Sequence, residues 1–217
     1  MTKELDYRYS YRRNLPHIQP AGATLFVTFR LANSLPVAVL ERLRTEFEEA
    51  EKRIAACDDW TERTRQEYLL HRKHFGRWDA CLDRAASGPT WLNDERVAQL
   101  VAGAMHYYDS DRYELDVYCI MPNHVHVVFR PGLDEKGESY ALSRIMHGIK
   151  GFSAGEANRV LGRKGQFWQG ESYDHVVRDG KEWQRIVRYV LLNPVKAGLV
   201  EEWQDWPWIY LRDGLAV

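Results

Sequence analysis

The chain has only three cysteines among 217 residues, Cys57, Cys81 and Cys119, an odd number with no CxxC pair. That spacing suggests neither a disulfide framework nor a thiolate zinc site, and reduced structural thiols are expected. No apolar run approaches the roughly 20 residues a membrane helix needs. The opening MTKELDYRYSYRRNLPH lacks the apolar stretch of a secretory signal, so a soluble cytoplasmic protein is expected. Charge of one sign is missing too: 30 Lys and Arg against 31 Asp and Glu argue against a surface coated with phosphate-binding cations. There is no internal repeat and no low-complexity linker.

What is present supports a real core. A hydrophobic fraction of 45% with eight Trp argues against wholesale disorder. The length suits a single domain over residues 1–217. The charge is unevenly spread. Acids crowd residues 41–67, while bases collect in YRYSYRR and from Arg144 to Lys164. One basic face can hold nucleic acid with a salt-sensitive affinity; ordinary solvated faces are the alternative.

The periodicities alternate between strand and helix. TLFVTFR reads as a strand, and VLERLRTEFEEAEKRI after Pro36 as a helix. Residues 58–80 read as helical or irregular, and VAQLVAGAMHYY as an amphipathic helix capped by Asn93 or Asp94. YELDVYCIM and HVHVVFR, separated by Pro122 and Asn123, read as a hairpin. SYALSRIMHGIKGFSAGEANRV is a helix candidate interrupted by Gly148, Gly151 and Gly155, and QFWQGESYDHVVR one strand or two short ones. Asp179 and Glu182 are spaced as a capping box for WQRIVRYVLLN, which Pro194 is expected to end or kink. The order predicts an α+β fold: a ferredoxin-like βαββαβ antiparallel sheet, a helical insertion after the first strand and a further C-terminal helix.

The most informative stretch is PNHVHVVF. Residues i and i+2 of a strand share a face, so His124 and His126 stand side by side, with Val125, Val127 and Phe129 facing the core. Two such imidazoles can bind one divalent ion; a surface pair on an edge strand is the alternative. Asn193 is a candidate third ligand through its amide oxygen. It lies four residues after Tyr189, which on a helix places both side chains on one face. A metal near a phosphate would let a phenol attack phosphorus despite a pKa near 10. A half-buried core tyrosine is the alternative for Tyr189.

These residues carry a resemblance. PNHVHVVF resembles the HUH motif of single-strand DNA endonucleases. With WQGESYDHVVRD, RYVLLNPVKAGLV, DWPW and the opening RRNLPHIQPAGATLFVTFRLANSLP, the chain is similar over nearly its whole length to REP-associated tyrosine transposases. The resemblance implies that His124, His126 and Asn193 hold Mg²⁺ or Mn²⁺, with zinc chemically possible, and that Tyr189 on the C-terminal catalytic helix is the nucleophile. It implies a strand transferase acting on single-stranded or hairpin DNA of REP-like elements through a 5′-phosphotyrosine. A hairpin-binding protein without cleavage and a water-using metal phosphodiesterase are the alternatives. Compared with the shortest members of that family the chain carries a helical insertion at about 50–92, and its C-terminal extension over 195–217 favours a monomer over a dimer that exchanges tyrosine helices.

Remaining candidates are weaker. The arm from Tyr7 to Arg13, with Arg8, Arg12 and Arg13, interleaves rings and cations suited to bases and phosphates; an edge strand closing the sheet is the alternative. Arg144, His147 and Lys150 could share a phosphate-facing side of one helix. His175 suits a structural hydrogen bond or a role behind the site, and Tyr173 is a lesser rival nucleophile. His71, His74 and His106 are expected to be solvated or structural, and Trp203, Trp206 and Trp208 to pack around Pro207.

Overall fold

The computed structural model describes residues 10–12, 16–18, 21–85 and 87–215, with side chains from residue 21 on. Contacts gather them into two compact units, one running to Ala32 and resuming at Trp91, the other Asn33–Thr90.

In the first unit, β1 (Ser10–Arg12) pairs antiparallel with β2 (Pro16–Ile18) as a separate two-stranded ribbon. Among the described residues the arm therefore closes on itself and not on the main sheet. β3 (Leu25–Arg30) then enters that sheet.

The second unit holds α1 (Val37–Ala55) and α2 (Trp60–Asp83). Residues 58–80, open between helix and irregular chain in the sequence, are helical from Trp60 on, with Asp59 as the cap that accepts from the Thr61 and Glu62 amides at 2.9 and 3.1 Å. His71 and His74 lie one turn apart against the Phe47 ring, with centroids at 5.1 and 4.6 Å. Burial lowers both imidazole pKa values, as suits packed structural histidines.

The first unit continues with α3 (Glu95–His106), β4 (Tyr113–Ile120), β5 (His124–Pro131), α4 (Leu142–Val160), β6 (Tyr173–Val176), α5 (Gly180–Lys196) and β7 (Ile209–Leu211). The sheet runs β6-β3-β5-β4-β7 with every neighbour antiparallel. A helical crossover returns the chain in its original direction, so β3 and β4 run parallel with β5 between them, and β5 and β6 likewise with β3 between. This is the expected ferredoxin-like sheet. β7 adds a fifth strand beside β4, pairing Val117 with Leu211 and Cys119 with Ile209.

Side-chain alternation splits the sheet into two faces. Leu25, Val27, Phe29, Val125, Val127 and Phe129 enter one core with Val97, Val101 and Met105 of α3 and Ile145 and Ile149 of α4. On the other face lie Phe26, Thr28, His124 and His126, with α5 packed over them.

Two helices run on where breaks were expected. α4 continues through Gly148, Gly151 and Gly155. Each glycine costs about 1 kcal/mol relative to alanine, and burial of Leu142, Ile145, Met146, Ile149 and Ala157 offsets that cost. α5 passes through Pro194 to Lys196. Its end is set by Gly198, at φ 71°: Gly198 N bonds Val195 O and Leu199 N bonds Pro194 O, both at 2.9 Å. That is the Schellman pattern, which favours glycine at the left-handed position, so the helix stops two residues after the proline, at Lys196.

Candidate functional site

β5 is flanked by β3 and β4, which removes the edge-strand reading of its histidines. His124 and His126 are both fully buried. The hairpin that starts β5 is pinned by Met121 N to His124 O at 2.8 Å and Leu31 N to Asn123 O at 2.9 Å.

Each imidazole is held from behind. His124 Nδ1 lies 2.7 Å from Asn123 Oδ1, and His126 Nδ1 lies 2.8 Å from Thr28 Oγ1. The opposite nitrogens converge, Nε2 to Nε2 at 3.0 Å. Asn123 Oδ1 accepts, so His124 carries its proton on Nδ1 and turns a lone pair toward His126. The Thr28 hydroxyl suits either tautomer of His126, because it can donate or accept. Without a cation, His126 Nε2–H donates to His124. With the proton moved to Nδ1, both Nε2 lone pairs face one point.

The electrostatics keep both rings neutral. Burial, then the charge of Lys196, pushes the His124 pKa down to about 3. Burial, then His124 and Lys196, holds His126 well below the ordinary imidazole value. Neutral imidazole is the form that ligates a metal.

α5 brings the rest. Its start is locked by Asp179, which accepts from Glu182 N at 2.8 Å, while Glu182 Oε2 accepts from Arg178 N at 2.9 Å. The buried Glu182 carboxylate also meets Arg185 at 2.8 Å and His175 at 3.2 Å. His175 thus has the structural partner expected of it. Trp183 Nε1 donates to Asp116 Oδ2 on β4 at 2.8 Å, tying α5 to the sheet.

Held this way, α5 turns Tyr189, Asn193 and Lys196 to one side, at i, i+4 and i+7. The half-buried Tyr189 ring stands 5.6 Å from the His126 ring and edge-on to Phe26 at 6.2 Å. Lys196 Nζ lies 5.3 Å from the centre of the Tyr189 ring. Asn193, between them, is fully buried, and neither its amide oxygen nor its nitrogen has a hydrogen-bond partner among the described residues. An orphaned amide costs about 1–3 kcal/mol, and its oxygen could serve as a donor to a cation. Two neutral imidazoles and an amide oxygen fit a divalent ion of the first-row or magnesium type.

The other candidates are placed differently. Arg144 and His147 are exposed on α4. Lys150 instead holds the turn before β6: its ammonium donates to Gln169 O at 2.7 Å, Gly170 O at 2.9 Å and Ser172 Oγ at 3.3 Å. Tyr173 lies on β6 with its ring 6.3 Å from Phe26. Arg8 and Arg13 lie outside the described residues; Arg12 belongs to β1, but its side chain is outside them. His106 packs edge-on against Tyr210 at 4.6 Å. Trp206 donates to Ile120 O at 3.0 Å, a packing role. Sequence reading missed Thr28, Asn123 and Lys196. Asn123 adjoins the histidine motif, but Thr28 reaches it only through the β3–β5 register.

Fold and sequence define a class at this point. Residues 90–192 match the family described as IS200-like transposase. More particularly, the chain is similar to REP-associated tyrosine transposases. A Haemophilus influenzae protein of that type is 32% identical over 104 residues, 44% of this chain and 57% of the relative. The Escherichia coli K12 REP-associated tyrosine transposase is 29% identical over 110 residues, 50% and 61% of the two chains. The chain thus spans little more than half the length of these relatives. A solved REP-associated tyrosine transposase, bound to a REP hairpin, shares the fold with a TM-score of 0.52 at 20% identity, over 92% of this chain and 80% of that one. No helix among the described residues is long and apolar enough to cross a membrane.

Proposed function

We propose that the chain is a metal-dependent single-strand DNA endonuclease and strand transferase of the HUH type, acting in the cytoplasm on hairpin-bearing DNA. The observation that carries this reading is the convergence of the His124 and His126 Nε2 atoms at 3.0 Å beneath the helix bearing Tyr189 and the orphaned Asn193 amide. The solved relative bound to a REP hairpin supports the substrate class.

His124, His126 and Asn193 would hold Mg²⁺ or Mn²⁺. Bound there, the ion supplies Lewis-acid polarisation of a phosphate oxygen. The residues of the chain do the rest. Asn123 and Thr28 orient the imidazoles, and α5 carries the Tyr189 ring beside that of His126. Tyr189 Oη loses its proton to solvent and attacks phosphorus. The bond from phosphorus to the 3′-oxygen breaks, and that oxygen takes up a proton. The product is a 5′-phosphotyrosine and a free 3′-hydroxyl, so a later 3′-hydroxyl can reverse the step without an energy source. The Tyr189 and His126 rings meet within one chain, which favours a monomer working in cis.

A denaturing gel with hairpin-bearing single-stranded DNA from the neighbourhood of the coding sequence tests the proposal. Wild type in Mg²⁺ or Mn²⁺ should give a covalent protein–DNA band, absent with EDTA and absent in Tyr189→Phe. Cleavage that persists in the Phe variant would point to a water-using phosphodiesterase. Binding without cleavage would leave a hairpin-binding protein.

A further inference from the structure

We infer that Lys196 is a further catalytic residue, the cation that holds the phosphate under attack beside Tyr189. This rests on the tyrosine reading above. Lys196 lies seven residues after Tyr189 and three after Asn193, so one helix face carries nucleophile, amide and ammonium in a row. The ammonium stands 5.3 Å from the phenol ring centre.

Helix geometry explains why it can be there. The Gly198 turn ends α5 one residue beyond Lys196, so the lysine occupies the last helical position. A helix stopped at Pro194 would not carry it on this face. A cation at a helix C-terminus is also favourable to the backbone dipole, so a purely structural role is the rival explanation.

The chemistry calls for such a group. Attack at a phosphodiester spreads negative charge over the non-bridging oxygens, and a fixed ammonium facing them stabilises the transition state more than the ground state. The lysine exchanges no proton in the step, so the bond changes are those already written: one bond from Tyr189 Oη to phosphorus forms, and one to the 3′-oxygen breaks.

The test compares wild type, Lys196→Gln and Lys196→Arg as full chains with a hairpin-bearing single-stranded oligonucleotide. Single-turnover formation of the covalent adduct should fall on the order of 10²-fold in Lys196→Gln, as when one transition-state donor is removed. Lys196→Arg, which keeps the charge, should recover most of that loss. The slope of log affinity against log salt, measured in EDTA, should fall by about one in Lys196→Gln, as expected for one lost phosphate contact. Adduct formation at the wild-type rate in Lys196→Gln would overturn the inference. So would an equal loss in both variants, since that marks a steric role. If wild type forms no adduct, the tyrosine reading fails, and the salt slope decides Lys196 separately: an unchanged slope overturns its phosphate contact.

Discussion

His124 and His126 point their Nε2 atoms at each other across 3.0 Å, each ring anchored on the far side, one by Asn123 and the other by Thr28. The arrangement stores two lone-pair positions in a fully buried place, with the hydroxyl of Thr28 free to donate or accept as the proton on His126 moves. Four expectations come from it and from the helix above it.

Asn193→Leu should separate stability from function. Replacing an orphaned buried amide by an apolar group of similar size is near neutral or stabilising. The variant measured in EDTA should melt at or above the wild-type temperature. The rise in melting temperature on adding Mn²⁺ should shrink or vanish, since ligand-linked stabilisation follows the affinity. A clear loss of stability in EDTA would show that the amide has a structural partner.

Thr28→Val and Asn123→Ala remove the groups behind the imidazoles without touching the converging nitrogens. Such supporting hydrogen bonds typically contribute about 10–100-fold to metal affinity. A Mn²⁺ titration followed by electron paramagnetic resonance should show weakening of that order in each variant. Unchanged affinity would mean that packing alone orients the rings.

Acid should destabilise the metal-free protein through the same pair. Both folded-state pKa values lie below the ordinary imidazole value, His124 at about 3, so the unfolded chain binds protons first. The contribution is therefore complete above about pH 6.5 and lost as pH falls toward 3, with a slope of about 1.4 kcal/mol per pH unit for each histidine. Urea unfolding in EDTA between pH 7 and 4 measures this. His124→Asn should flatten the dependence, and an unaltered slope would assign acid sensitivity to other groups.

Trp183→Phe keeps the ring but removes the bond to Asp116 Oδ2. Burial already raises the Asp116 pKa, and losing its indole partner leaves that carboxylate less satisfied. A loss of about 1–3 kcal/mol is expected, measured by chemical denaturation. Because this bond ties α5 to β4, adduct formation should also slow. A variant as stable as wild type would show that other contacts seat the helix.

Much of this was legible in the residues themselves. The β-branched run at Val125, Val127 and Val128 identifies a strand whose two-residue period puts both histidines on one face. Four-residue spacing does the same for Tyr189 and Asn193, and the Asp179–Glu182 cap marks where α5 begins. Pro194 misled about its end, because the competing signal, Gly198, lies four residues further on and acts through backbone bonds to Pro194 and Val195. The glycines of α4 misled in the same way: buried neighbours outweigh their intrinsic cost.

By itself the sequence determined what is local: element type, which residues share a face, and the chemical identity of the candidate ligands and nucleophile. Periods of 2 and 3.6 are properties of neighbouring residues, so no distant partner is needed to read them. Tertiary structure alone decided that Thr28 stands behind His126, that β7 extends the sheet at β4, that Lys150 holds the turn before β6 and that Lys196 stands beside Tyr189. Strand register, crossover direction and helix seating join residues up to about a hundred positions apart, and a linear pattern carries no record of those distances.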